Sequence, residues 1–303
     1  IDVTQVGWGY SRNDSEWKSP AFIVNELVAT IARGGTFMMN VGPTSKGVIP
    51  PQAAESLRKA GEWVHKYPKV VYGAGPSPWG HAMPWGDAVT NDGKLYLIVN
   101  EWPADGKLWL PGMKNSNILA AGTYEGRTLD FSMKDGWGCI ELPDRRTDLI
   151  ASVMEVTVDD RSFIGTIGID PSLPTEINVD FGEHGNCRPR YDNWMDKFGE
   201  WKFKHTICDL TADSWFDWTV DFQKPGYYNV DIELKGDVSV LWRLELDGEP
   251  VLLNDQVTSN RYAWQRLGWI RIDEAGPHCI CIRPLEGFEK AVVSGIKLTP
   301  VGI

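Results

Sequence analysis

The stretch Arg33-Gly34-Gly35-Thr36-Phe37-Met38-Met39-Asn40-Val41-Gly42-Pro43-Thr44 decides how the first part of the chain is read. Two glycines end the helix that precedes them. The short, nearly continuous apolar run from Thr36 to Val41 is what a parallel strand buried on both faces requires. Upstream, Ser19-Pro20 forms a helix start, with Ser as N-cap and Pro at the first helical position. Ile23, Val24, Leu27, Val28 and Ile31 then make an apolar stripe at helical spacing. Downstream, Pro50-Pro51 opens a second helix whose inner face reads Ala54, Leu57, Gly61 and Val64. Val3–Val6 reads as a further strand, and Val70, Val71 and Tyr72 close the region. This alternation predicts α/β structure over residues 1–73. Two parallel strands alone cannot bury both faces and leave their edges open. The region therefore reads as the last quarter of a (β/α)₈ barrel, a fold of ~200 or more residues.

Beyond it the pattern changes. Residues 74–87 are rich in Gly and Pro and read as a linker. From there to about residue 158 the apolar period is two, as in Leu95, Leu97 and Val99. Turns are signalled by Asn91-Asp92-Gly93, Ala104-Asp105-Gly106, Pro111-Gly112 and Asp135-Gly136. Residues 159–303 repeat that style. Trp218, Val220 and Phe222 share one face, Lys224-Pro225-Gly226 turns the chain, and Tyr228, Val230, Ile232 and Leu234 share the returning face. Asp247-Gly248 signals another hairpin. The expected organisation is multidomain: the C-terminal end of a (β/α)₈ barrel (1–73) followed by two antiparallel β-sandwich domains, 74–158 and 159–303.

The 303 residues carry 30 Lys+Arg against 41 Asp+Glu, a net charge of −11. That field repels a phosphate backbone, so nucleic-acid binding is not expected. No apolar run is long enough for a membrane-spanning helix. Five cysteines, an odd number, imply no disulfide framework. Cys279 and Cys281 fall on one face of a strand as small core residues. His184 and Cys187 lie three apart, but no second ligand pair accompanies them, and no metal site is expected there. The chain opens on Ile with no signal-like segment, which reads as a fragment or a processed product. Its 15 Trp stand out. Indole offers an apolar plate with one N–H, suited either to a sandwich core or to stacking on sugar rings.

Barrel chemistry sits at the C-terminal ends of the strands. Two such ends occur, Gly7-Trp8-Gly9-Tyr10 and Asn40-Val41-Gly42-Pro43. Trp8, between two glycines, is placed to cover the apolar face of a sugar; the competing reading is a core residue at the barrel rim. Glycoside hydrolysis needs two carboxyls flanking the bond, ~5–5.5 Å apart when configuration is retained. Asp14 and Glu16 lie on the proper side, but no partner for them can be found, since Asp2 precedes the first strand and Glu26, Glu55 and Glu62 lie in helices. No nucleophile elbow, phosphate loop or dinucleotide fingerprint is present.

At these residues the chain resembles family 29 of the glycoside hydrolases, the α-L-fucosidases. Trp8-Gly9-Tyr10 resembles the family's Trp-Gly-Tyr segment on the seventh barrel strand. Arg33 to Thr44 resembles its eighth strand, departing conservatively at Thr36 and Met38-Met39. Gly47-Val48-Ile49-Pro50, Gly61-Glu62-Trp63-Val64 and Val70-Val71-Tyr72-Gly73 continue the series in order. Leu95-Tyr96-Leu97, Trp102-Pro103 and Leu110-Pro111-Gly112 extend it more weakly through 74–158. Residues 159–303 are similar only in style to appended carbohydrate-binding sandwiches.

The resemblance implies a retaining, exo-acting hydrolase that removes terminal L-fucose from glycans without a cofactor. It implies that the nucleophilic Asp and the acid/base Glu lie upstream of residue 1, with no catalytic residue among these 303. Trp8 then lines the fucose site, the missing N-terminal barrel segment is a partner, and the protein is periplasmic or secreted. The alternative is a non-catalytic carbohydrate-binding module in residues 159–303, with Trp194, Trp201, Tyr262, Trp264 and Trp269 as platforms in or near loops. A third reading has both sandwiches only bracing the barrel. A structural Ca²⁺ in the last sandwich is allowed by the oxygen-bearing stretches Asp192-Asn193 and Asp213, at a spacing that is not diagnostic.

Overall fold

A computed structural model describes residues 3–4, 7–113, 116–159, 165–197 and 200–302; of residues 196, 197, 200 and 201 it describes the backbone. It is dominated by β-sheets, with three α-helices near the amino terminus. Two compact units divide the chain, Ile1–Gly165 with Trp194–Lys202, and Thr166–Asn193 with Phe203–Ile303.

In the first unit, helix α1 spans Pro20–Ala32 and starts as its sequence requires. The Ser19 hydroxyl accepts from the Phe22 N–H at 3.1 Å. Ile23, Val24, Val28 and Ala32 are buried. Helix α2, Pro51–Lys66, forms where expected but is turned by about one residue. Ala53, Ala60 and Trp63 face inward while Ala54 is exposed and Leu57 and Val64 are half-buried. Trp63 decides the rotation, because burying the largest apolar side chain gains the most. Its indole N–H donates to the Ala151 carbonyl at 2.8 Å. The closing segment Pro68–Val71 is a short helix, α3.

Strands β1 (Gly86–Asn91), β2 (Lys94–Val99), β3 (Lys107–Leu110), β4 (Ile118–Thr123), β5 (Phe131–Lys134), β6 (Trp137–Glu141) and β7 (Ser152–Val158) follow. They form a sheet of order β1-β2-β7-β4 and a second of order β3-β6-β5. Asn91 pairs with Lys94, leaving Asp92-Gly93 as a two-residue turn. Their φ values of 45° and 80° are those of a type I′ turn. Leu95 to Val99 is buried on both faces instead of alternating. Tyr96, Ile98, Val89 and Val153 share a core with Val24, Val28, Trp63 and Tyr67 of the helices, so the sheet has no solvated face there.

The second unit holds β8 (Gly168–Ile169), β9 (Thr175–Asn178), β10 (Glu183–Gly185), β11 (Arg188–Lys197), β12 (Glu200–Cys208), β13 (Trp215–Phe222), β14 (Gly226–Lys235), β15 (Ser239–Leu246), β16 (Glu249–Val257), β17 (Ala263–Ile272), β18 (Gly276–Glu286) and β19 (Val292–Pro300). One sheet runs β10-β13-β18-β15-β16, with β8 on β13; the other runs β11-β12-β19-β14-β17, with β9 on β19. Trp218, Val220, Phe222, Tyr228, Val230, Ile232 and Leu234 all enter one core contributed by both sheets. The returning strand is not a hairpin partner, however. β13 pairs with β18 while β14 pairs with β17 and β19, so Lys224-Pro225-Gly226 carries the chain from one sheet to the other. Proline without an N–H suits such a crossing better than a ladder. Cys279 and Cys281 do share a face, but the core takes their neighbours Ile280 and Ile282. Cys281 is buried on the opposite face, opposite Asp217 and Glu245 in the ladder. Much of the tryptophan is structural: Trp63, Trp79, Trp85, Trp109, Trp137, Trp218 and Trp242 are all buried.

Candidate functional site

The two expected strand ends meet. The Val3 N–H donates to the Asn40 carbonyl at 3.0 Å. The Asn40 side-chain amide donates to the Trp8 carbonyl at 2.7 Å. The backbones then approach so closely that a Cβ on Gly42 would lie 2.5 Å from the Gly9 carbonyl carbon and 2.5 Å from the Tyr10 nitrogen. Only glycine fits position 42. Trp8 sits on this crossing with 59% of its surface exposed, an apolar plate beside the Asn40 to Pro43 turn. Lys18 supports the segment from below, its buried ammonium donating to the Thr4 carbonyl at 3.0 Å.

Thr36–Val41 differs from expectation. It is extended and only partly buried, and it joins none of the sheets among the described residues. Met38 is 74% exposed. Asn40 forms a bridge and its carbonyl accepts from Val3, but among the described residues the rest of the run has no ladder to enter and no second layer to bury it. Of the expected strand Val3–Val6, Thr4 makes one bridge, to Trp17; residues 5–6 lie outside the described residues. Tyr10, Val48 and Ile49 add to the exposed apolar surface of this segment.

The aromatic platforms expected in loops mostly lie in strands. Trp194 is in β11 and Trp264 and Trp269 are in β17, with Tyr262 just before it. Trp201 is in β12; its side chain lies outside the described residues. Tyr262 is committed to its surroundings. Its hydroxyl donates to Asp192, and the Lys204 and Lys235 ammonium groups lie 5.1 and 5.2 Å from its ring centroid. Burial, with the Asp192 carboxylate beside it, pushes the Tyr262 hydroxyl above its ordinary range. One face of Trp264 is covered by Lys297, 4.3 Å from the ring centroid. Trp269 is different. It is 58% exposed and meets Tyr227 edge-on, with ring centroids 5.3 Å apart at 73°. Tyr227 escaped the sequence reading because the buried alternation assigns significance to Tyr228 and leaves its neighbour as an ordinary surface residue.

Of the oxygen-bearing residues considered for Ca²⁺, Asp192 is committed to protein partners. Asp192 lies within β11, and its carboxylate faces Arg190, 2.6 Å away, and Tyr262. Burial raises its pKa, but Arg190 and Tyr262 outweigh this and hold the group below its ordinary value. Among the described residues no group of three or more His, Cys, Asp or Glu could hold a metal ion. No helix among them is long and apolar enough to cross a membrane.

Comparison with known proteins gives a consistent family. The family model described as alpha-L-fucosidase matches residues 2–69. Tissue alpha-L-fucosidase of Rattus norvegicus is 32% identical over 132 residues, covering 41% of this chain and 28% of the relative. The alpha-L-fucosidase of Dictyostelium discoideum is 31% identical over 124 residues, covering 38% of this chain and 26% of the relative. The chain thus spans about a quarter of the length of these curated relatives. The crystal structure of alpha-L-fucosidase from Vibrio sp. strain EJY3 superimposes with a TM-score of 0.68 at 18% identity, covering 99% of this chain and 54% of that one. That likeness is one of fold, and it extends through both units. Over residues 2–69 the chain is similar to the α-L-fucosidase family.

Proposed function

We propose that the chain is the C-terminal portion of a retaining, exo-acting α-L-fucosidase that removes terminal L-fucose from glycans. Residues 1–73 are the last strand–helix units of its (β/α)₈ barrel. Residues 74–158 and 159–303 are the two sandwiches behind it. The nucleophile and the acid/base come from barrel segments upstream of residue 1, where a carboxylate attacks the anomeric carbon and a carboxylic acid protonates the leaving oxygen. The protein works in the periplasm or outside the cell, where such glycans occur.

The observation that carries this reading is the crossing of Trp8 with Asn40 and Gly42 within the family-matched residues. The crossing fixes the backbone beneath an exposed indole. Trp8 supplies the apolar wall for the fucose ring, and the crossing holds its backbone in place. The exposed Tyr10, Met38, Val48 and Ile49 further support an apolar layer packed on this segment in the whole enzyme.

The test is release of 4-nitrophenol from 4-nitrophenyl α-L-fucopyranoside. The 303 residues alone are expected to be inactive, and the longer polypeptide that contains them active with retention. Turnover by the 303 residues alone would put the catalytic carboxyls inside this chain and refute the assignment. A longer polypeptide with no fucosidase activity would refute the function.

A second reading, a carbohydrate-binding module without catalysis, is favoured by the exposed Tyr227–Trp269 pair. Under it, Trp269→Ala abolishes retention on a glycan array while the fold persists.

A further inference from the structure

A hollow of about 220 Å³ opens at the edge of the second unit, away from the Tyr227–Trp269 pair. Asp180, His184, Arg190, Tyr191 and His205 line it. Strand parity explains how polar side chains come to face the space between the sheets. His184 on β10 stands directly across from Phe216, which is in the core, so its imidazole projects toward the same side. On β12 Ile207 enters the core, and His205, two residues earlier, shares its face. Both histidines therefore occupy positions that a closed core would give to apolar residues.

Polar groups around the hollow are paired with one another. The His205 and Asp180 side chains meet at 2.8 Å. Arg190 is paired with Asp192 at 2.6 Å. Tyr191 packs edge-on against His205, with centroids 4.5 Å apart at 82°, and stays 55% exposed. Nδ1 of His184 is buried without a hydrogen-bond partner. A buried polar atom of this kind is costly until something meets it.

We infer that the hollow binds one neutral pyranose residue. The Asp180–His205 pair presents a donor and an acceptor side by side, as vicinal hydroxyls require. The exposed ring of Tyr191 takes the apolar C–H face of the sugar. A ring hydroxyl meets Nδ1 of His184. The volume is below the roughly 300–1,000 Å³ of a drug-sized ligand site, which limits the hollow to a single ring. The choice of a sugar as ligand class rests on the proposed function; the hollow and its unpartnered nitrogen do not.

The experiment is calorimetric or saturation-transfer titration of the 303-residue chain with methyl α-L-fucopyranoside, methyl β-D-galactopyranoside and methyl α-D-mannopyranoside. At least one is expected to bind at a single site with a millimolar Kd. Tyr191→Ala should weaken it about tenfold or more. His184→Phe should abolish it without lowering the melting temperature, because an apolar ring replaces the unpartnered nitrogen. Leu149→Ala, at an exposed position of the first unit, should leave it intact. The inference fails if none of the glycosides binds at tens of millimolar. It also fails if Tyr191→Ala and His184→Phe keep affinity within twofold, or if only a uronate or sulfated sugar binds. Fucose release by the longer polypeptide is a separate measurement, so loss of one proposal is distinguishable from loss of the other.

Discussion

Replacing Gly42 by alanine tests whether the crossing under Trp8 is as tight as its geometry states. The added Cβ would lie 2.5 Å from both the Gly9 carbonyl carbon and the Tyr10 nitrogen, and 2.9 Å from the Gly9 oxygen. Ordinary van der Waals contact for a Cβ begins near 3.4 Å, so one backbone must retreat by roughly 0.9 Å. Neither is free to do so cheaply. Asn40 holds the Trp8 carbonyl on one side, and Val3 holds the Asn40 carbonyl on the other. Overpacking of this kind costs about 1–3 kcal/mol. In a unit of this size that lowers the melting temperature by roughly 2–4 °C for each kcal/mol.

The assay is thermal unfolding followed by near-UV circular dichroism, with Gly61→Ala as a control. Gly61 lies inside α2, and a Cβ there meets nothing within 4 Å. That variant should gain about 0.5–1 kcal/mol from reduced backbone entropy in the unfolded chain. The same chemical change thus has opposite signs at two sites 19 residues apart. A Gly42→Ala protein that melts with the wild type would show that the segments are not held together, and the placement of Trp8 would lose its basis. Under the proposed function, the variant in the longer polypeptide should raise KM for the fucoside more than it lowers kcat, because it displaces the proposed wall of the sugar site and no reacting group.

Two further outcomes follow from the packing and the charges. Trp63→Phe keeps an aromatic ring in the core but leaves the Ala151 carbonyl without its donor, and should cost about 1–3 kcal/mol in urea unfolding of the first unit. His278 joins the hairpin turn at Asp247 through a 2.7 Å contact. Burial pulls its pKa down, but the Asp247 carboxylate and the Glu274 carbonyl outweigh this and leave it above the ordinary 6.5. Its contribution to stability is therefore full below about pH 6.5 and is lost as pH rises through the elevated folded value. Burial raises Asp247, which the Cys279 N–H and His278 more than offset; its depressed value means the contribution also fades as pH falls below the ordinary 3.8. His278→Gln should flatten the melting temperature of the second unit between pH 6 and 8, and an unchanged profile would remove the pair from the account.

What could be read from residue order was local. Ser19-Pro20, Pro50-Pro51 and the Asp-Gly turns each act through their own backbone conformation, and each element starts or turns where the sequence says. Readings that depended on a partner elsewhere fared differently. Thr36–Val41 has the composition of a buried strand, yet burial is supplied by neighbouring strands and not by the segment itself. The face of α2 shifted because the indole of Trp63 found the Ala151 carbonyl, 88 residues away. Lys224-Pro225-Gly226 is a turn in either topology; whether it joins a hairpin or crosses between sheets is decided by β17, β18 and β19, which come later.

The sites obey the same division. Trp8 stands between two glycines, so the permissive backbone of the proposed site is written next to it. The surroundings of the aromatic platforms are not legible in order, since Lys297 over Trp264 comes from a distant strand. Tyr227 and the Asp180–His184–His205 hollow left no linear signal at all. Their residues are spread over β14, β10, β12 and the Val179–Phe181 turn, and only the register brings them together. His184 illustrates the physical point. In sequence it is an isolated imidazole near Cys187, and weighing it as a metal ligand was the only chemistry its neighbours suggested. Paired opposite Phe216, it becomes a polar atom facing a hydrophobic interior, and that contradiction is the ground on which a ligand is proposed there.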